Sequence, residues 1–242
     1  MPTSSPPSLR LDMSLGDIVT AHPSLATQLE RLDLDYCCGG ATTLADACQV
    51  NQLDPETVVI ELAAHVGRDD APAPWSSMAP IELVDHLVTT HHRYLWDELP
   101  RLQALVDKVA EVHGDRHPEL ADIAACFAAI RADLEPHLIK EERVLFPAIT
   151  QLATAPETPS FGFGSIANPI STMLREHDDL GGMLRELRTL TTEYTPPADG
   201  CASYTALFTG LEQLEADTHL HVHKENNLLF SQVIELEHHR TS

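Results

Sequence analysis

Two stretches decide how this chain is read: His137-Leu-Ile-Lys-Glu141-Glu-Arg-Val-Leu-Phe146 and His221-Val-His-Lys-Glu225-Asn-Asn-Leu-Leu-Phe230. They share the pattern His-x-x-Lys-Glu-x-x-(Val/Leu)-Leu-Phe. In each, a histidine and a glutamate stand four residues apart, which on a helix puts both side chains on one face. One such pair alone is an ordinary surface contact worth little. The duplication changes the weighting, because another histidine precedes each pair at nearly the same distance. His92 lies 45 residues before His137, and His177 lies 44 before His221.

These separations translate into heights along helices. His92 is 21 residues before His113, where a Gly-Asp-Arg loop begins, and His137 is 20 residues beyond His117, where that loop ends. At about 1.5 Å of rise per residue, the two histidines fall at nearly the same level on antiparallel helices. His177 and His221 stand about 17 and 20 residues from their own connection, a mismatch of roughly 4–5 Å that loop shape absorbs. All four histidines therefore converge near mid-bundle, with Glu141 and Glu225 one turn away.

The wider periodicity supports an all-α fold. Helical spacing of apolar residues runs over about 80–112, 117–152, 166–194 and 201–238, and no window alternates at period two for long enough to suggest a sheet. Short first and third connections make neighbours antiparallel, hence an antiparallel four-helix bundle over 80–242. Ahead of it, Ser14-Leu-Gly-Asp17, Thr43-Leu-Ala-Asp46 and Asp54-Pro55 read as helix starts, so residues 14–66 form a small helical domain. The Pro/Ser-rich residues 1–13 read as disordered and 67–79 as a linker.

Ligand type narrows the chemistry. Four imidazoles and two carboxylates suit first-row transition metals and exceed what one tetrahedral zinc uses. Two carboxylates from facing helices bridge two metals, each metal taking two imidazoles, with positions left for water, an oxo bridge, O2 or NO. Iron is the first expectation and manganese the second. Adjacent helical residues stand about 100° apart, so only one of His91 and His92 faces inward; the spacing selects His92, with His91 the alternative. His86, His219 and His223 fall off this face and read as solvated. Pro136 and Pro100 are expected to bend their helices. Gly181 stands four residues after His177, where the other ligand helices carry glutamate, and leaves either a channel to the metals or a close helix contact.

Composition excludes several classes. Fifteen Lys and Arg against 37 Asp and Glu give a formal charge of −22, which argues against nucleic acid or an anionic membrane as partner. No apolar run approaches the roughly 20 residues of a membrane span, and the first residues lack the pattern of a signal peptide. Five cysteines, two of them adjacent, do not make a secreted disulfide framework. The expectation is a cytoplasmic protein, monomeric or homodimeric. Cys37-Cys38-Gly39-Gly40 precedes a helix start, a setting that favours thiolate. It reads either as a redox or iron-handling thiol pair or as two small buried cysteines beside a turn.

Taken together, Asp35-Tyr-Cys-Cys-Gly-Gly40, His137-x3-Glu141 with Leu145-Phe-Pro147, Glu176-His-Asp-Asp-Leu-Gly181 and His221-x3-Glu225-Asn-Asn resemble the iron–sulfur cluster repair di-iron proteins, the repair-of-iron-centres family with a hemerythrin-like domain. The resemblance covers nearly the whole chain; one departure is Ser231 after Phe230, where the first repeat has Pro147. It implies a non-haem di-iron centre, oxo- and carboxylate-bridged, with His92, His137, His177 and His221 as ligands and Glu141 and Glu225 bridging. It further implies repair of iron–sulfur proteins damaged by nitric oxide or peroxide, by iron donation or NO chemistry, with Cys37 and Cys38 in the domain that serves this role. The alternatives are a hemerythrin-like O2 or NO carrier or sensor, and a di-iron NO reductase or oxidase. If the protein is catalytic, its reaction is di-iron redox chemistry on NO or peroxide.

Overall fold

Ser14 opens the first helix by accepting the Asp17 amide on its hydroxyl at 3.0 Å, and Thr43 does the same for Asp46 at 3.1 Å. The computed structural model describes residues 9–66 and 73–241. In the N-terminal unit, α1 (Leu15–Ala21), α2 (Ala26–Arg31), α3 (Leu44–Val50) and α4 (Pro55–His65) follow one another. The two capped starts are laced together: the Leu15 amide donates to Thr42, Leu44 to Met13 and Gly16 to Gly40, all at 2.8–2.9 Å. Asp54 caps α4 on the Thr57 amide, with Pro55 in the first helical position. Leu15, Ile18, Leu29, Leu44 and Leu62 fill the unit's own core, and Val222 of the bundle joins it.

Of the stretch 1–13 read as disordered, residues 1–8 lie outside the described residues, whereas Leu9, Leu11 and Met13 pack on this core. Of the linker 67–79, residues 67–72 lie outside them, and Trp75 is buried against the bundle.

Four long helical columns make the rest. The first runs through α5 (Pro80–Leu87), a π-helical turn at Val88–His92 and α6 (Arg93–His113). The second is α7 (Glu119–Lys140), a π turn at Glu141–Leu145 and α8 (Phe146–Thr154). The third is α9 (Ala167–Leu190), and the fourth is α10 (Ala202–Lys224), a π turn at Glu225–Leu229 and α11 (Phe230–Thr241). Helix α6 packs on α7 and α10, α7 on α9, and α9 on α10, closing a four-helix bundle. Pro100 and Pro136 stay inside α6 and α7; the α-pattern of the second column changes only five residues after Pro136, at Glu141.

Two apolar cores fill the bundle. One gathers Leu95, Leu99, Phe127, Leu134, Leu184 and Leu211, the other Leu83, Leu145, Ile149, Ile170 and Val233. Between them each column carries polar residues inward. Among the described residues no helix is long and apolar enough to cross a membrane.

Candidate metal centre

Three of the four columns place their inward polar side chains at a π turn. His92 ends one, Glu141 opens another and Glu225 opens the third, where the amides of Arg93, Phe146 and Phe230 each reach back five residues. A π turn inserts one residue into the α-pattern and re-aims the side chains beside it, a device concentrated at functional sites.

The result is one buried cluster of six donors. His92, His137, His177 and His221 are 0–3% exposed and both glutamates 0%. Each carboxylate divides its oxygens between two imidazole pairs. Glu141 turns Oε2 to His92 Nε2 at 3.4 Å and Oε1 to His137 Nε2 at 3.3 Å. Glu225 turns Oε1 to His221 Nε2 at 3.1 Å and Oε2 to His177 Nε2 at 3.2 Å. Two four-donor groups follow, His92/His221 and His137/His177, each completed by both carboxylates.

Outer contacts aim these rings. Glu142 lies 3.0 Å from His92 Nδ1 and Glu176 lies 2.8 Å from His137 Nδ1; a carboxylate only accepts, so each Nδ1 donates, which leaves Nε2 as the atom facing inward to serve a metal. Asn226 Oδ1 does the same for His177 at 2.8 Å. Trp96 donates to the same Glu142 oxygen, and Lys140 pairs with Glu176.

This set fits a pair of cations. His92 Nε2, both oxygens of Glu141 and Glu225 Oε2 are buried without a hydrogen-bond partner among the described residues, a costly state unless something else satisfies them. His137 and His177 point their Nε2 atoms at each other across 3.1 Å. Burial and the adjacent Glu225 push the Glu141 carboxyl up, but the imidazoles facing it hold it below the ordinary range. Against burial, the imidazoles of His221 and His177 hold Glu225 well below that range. Burial opposes the His137 imidazolium, yet Glu141 and the other carboxylates raise it to about 9.

Neighbouring histidines sort themselves clearly. His91 turns both ring nitrogens away from the six donors: its Nδ1 meets Asp217 at 2.8 Å and its Nε2 meets Lys224 Nζ at 2.6 Å. His86 is half-buried beside Lys224, and His219 is half-buried on Glu30. His223 departs from the solvated reading. It is fully buried, held between Thr20 and the Tyr36 carbonyl, because the N-terminal unit docks on that face of α10.

Cys37 also departs from the thiolate expectation. Asp35 Oδ1 accepts from the amides of Cys37 and Cys38 and from the Cys37 thiol. The contact with Cys38 and burial hold the Cys37 thiol well above its ordinary value. The next helix begins at Leu44, where Thr43 takes the Asp46 amide, and the amides of Cys37 and Cys38 themselves turn to Asp35. Asp35, Cys37 and Cys38 form a third group of potential metal donors. Gly181 lies under the pair, where an added Cβ would stand 3.9 Å from Cys38 Sγ. Glu142, Glu176, Asn226 and Lys224 were not singled out from sequence, although Glu142 and Asn226 directly follow the glutamate of each repeat.

A family profile described as the hemerythrin HHE cation binding domain matches residues 83–233, and one described as a domain of unknown function (DUF542) matches 11–66. The iron-sulfur cluster repair protein YtfE of Enterobacter sp. (strain 638) is 34% identical over 224 residues, 92% of this chain and 97% of that protein. Its namesakes from Citrobacter koseri and Escherichia coli K12/DH10B are 33% identical over the same shares. With the two His/Glu groups, the cation-binding match points to non-haem iron.

Proposed function

Because the chain belongs to the iron–sulfur cluster repair proteins with a hemerythrin HHE cation-binding domain, we propose that it holds two iron ions and repairs iron–sulfur clusters damaged by nitrosative or oxidative stress. His92 and His221 ligate one ion, His137 and His177 the other, and Glu141 and Glu225 bridge them. The observation that carries this reading is the division of each carboxylate between two imidazole pairs. A bound iron pair supplies redox chemistry toward NO, O2 or peroxide, and iron is also the cargo where a cluster is rebuilt. The chain's own part is to orient three of the imidazoles through Nδ1, keep both carboxylates charged and exclude bulk water. Cys37 and Cys38 serve as thiols beside the centre, and the Cys37 backbone carbonyl is linked to it through Asn226. Clients are damaged iron–sulfur proteins in the cytoplasm, met by a monomer or homodimer.

Iron analysis with Mössbauer spectra before and after NO tests this. Wild type is expected to carry two irons per chain and the absorbance of an oxo- and carboxylate-bridged ferric pair. Glu141→Leu and His221→Leu are expected to lose that absorbance. Two-iron occupancy in either variant would overturn the site. Stable, reversible O2 binding without iron loss would favour a carrier, and steady NO consumption with an electron donor an NO reductase.

A further inference from the structure

The four imidazoles are not equally prepared for a metal. Three of them already carry the proton on Nδ1, because Glu142, Glu176 and Asn226 accept it there. His221 differs. Its Nδ1 is buried with no hydrogen-bond partner among the described residues, while its Nε2, which like the other three faces a carboxylate, lies 3.1 Å from Glu225 Oε1. A carboxylate only accepts, so the hydrogen of a neutral His221 sits on Nε2, the atom that must face a metal. Ligation at Nε2 therefore moves that hydrogen to Nδ1, where no acceptor among the described residues receives it.

The reason lies in the ring beside it. His91 stacks on His221 with centroids 5.3 Å apart and planes 6° apart. Both His91 nitrogens are engaged, Nδ1 with Asp217 and Nε2 with the buried Lys224 ammonium, which also reaches His86 at 3.0 Å. His91 thus offers His221 a ring face and no acceptor. Charge outside the two pairs does not explain a weaker ion at His221: Glu142 and Asp217 against Lys224 leave one negative charge on that side, and Glu176 against Lys140 leaves none on the other, so the difference lies in the outer acceptors alone. The missing acceptor has no counterpart in the other pair.

We infer that the two metal positions are inequivalent, with the ion held by His92 and His221 the weaker and the first to leave. This rests on the two-iron reading above. Outer partners of metal-bound imidazoles are worth about 10–100-fold in affinity, which sets the size of the gap.

The test is anaerobic chelation of the Fe(II)-loaded full chain by a chromophoric ferrous chelator, with iron counted per chain beforehand. Two phases of equal amplitude are expected, their rates at least about tenfold apart. Asn226→Ala removes the acceptor from His177 and should speed only the slow phase. Asn226→Asp, which restores an acceptor there, should return the slow phase to the wild-type rate or below. Glu142→Ala should speed only the fast phase. Two irons leaving in one phase, or Asn226→Ala acting on the fast phase, overturns the inequivalence. Fewer than two irons per wild-type chain overturns the two-iron reading and this inference with it. Circular dichroism of each variant separates these outcomes from misfolding.

Discussion

Cys37 and His177 are joined by a single side chain. Asn226 donates from Nδ2 to the Cys37 carbonyl at 3.3 Å and accepts from His177 Nδ1 on Oδ1 at 2.8 Å. The N-terminal unit therefore helps hold a side chain that aims one of the inner imidazoles. Asn227 repeats the bond to Cys37 at 3.1 Å and also reaches the Tyr36 carbonyl and the His223 carbonyl. Docking of the small unit and the geometry of the donor cluster are thus coupled through two consecutive residues of one π turn.

Gly40 makes that docking possible. A Cβ there would fall 2.2 Å from Asn227 Oδ1, and Asn227 is tied on several sides and cannot swing clear. Gly40→Ala is expected to cost about 1–3 kcal/mol, the usual range for overpacking. Gly182, inside α9, has nothing within 4 Å of an added Cβ. Gly182→Ala should therefore stabilise by up to about 1 kcal/mol through helix propensity. Urea unfolding of both variants checks the contrast; an equal effect on both would contradict the packing argument.

Metal affinity should rise with pH. A metal needs the Nε2 lone pair of His137, and in the ion-free protein the carboxylates around that ring raise it to about 9. Below pH 9 a proton must leave as the metal enters, so apparent affinity increases toward pH 9, by up to about tenfold per unit for each proton released. Glu141 and Glu225, held below the ordinary carboxylate range, add no such dependence near neutrality. Co(II) titrations at pH 6, 7, 8 and 9 read the slope. Glu176→Gln removes one of the charges that raise His137 and should flatten it.

Helix geometry explains how much was legible beforehand. The spacing of His137 to Glu141 and of His221 to Glu225 fixes a shared face, and the 45- and 44-residue separations fix heights, so the six side chains that the structure brings together were readable as a set. The π turns were not, because one inserted residue leaves no mark on apolar periodicity. Glu142, Glu176 and Asn226 each sit beside a donor in sequence and act on a ring of another column, a relation that depends on how the columns face. His223 was misread for a related cause. It stands off the ligand face as its position two residues after His221 implies, but the face it occupies is covered by Thr20 and Tyr36 from far along the chain.

Arg188 and Glu215 test how much a buried charge pair constrains the far half of the bundle. Glu215 is 1% exposed and receives Arg188 through Nη2 at 2.5 Å and Nε at 3.2 Å. Arg188→Met strands the carboxylate and should destabilise by about 3–5 kcal/mol. The double variant Arg188→Met/Glu215→Leu removes both charges and should recover most of that loss. Urea midpoints of the three proteins read it; a double variant as unstable as Arg188→Met would show that the pair is not the cause.

The cysteines should differ sharply in reactivity. Cys201 is exposed at the start of α10, and the Tyr204 amide, then the His113 ring 3.2 Å away, lower its thiol to about 7. Burial pushes Cys126 up to about 11, and Cys37 is held well above its ordinary value by its contact with Cys38 and by burial. Since the thiolate is the nucleophile, iodoacetamide at pH 7.5 should label Cys201 first and Cys37 among the last. Peptide mapping by mass spectrometry over time gives the order. His113→Ala should slow labelling of Cys201 several-fold and leave the other sites unchanged. Rapid labelling of Cys37 in the folded protein would contradict the hydrogen-bonded thiol described here and favour a thiolate at that position.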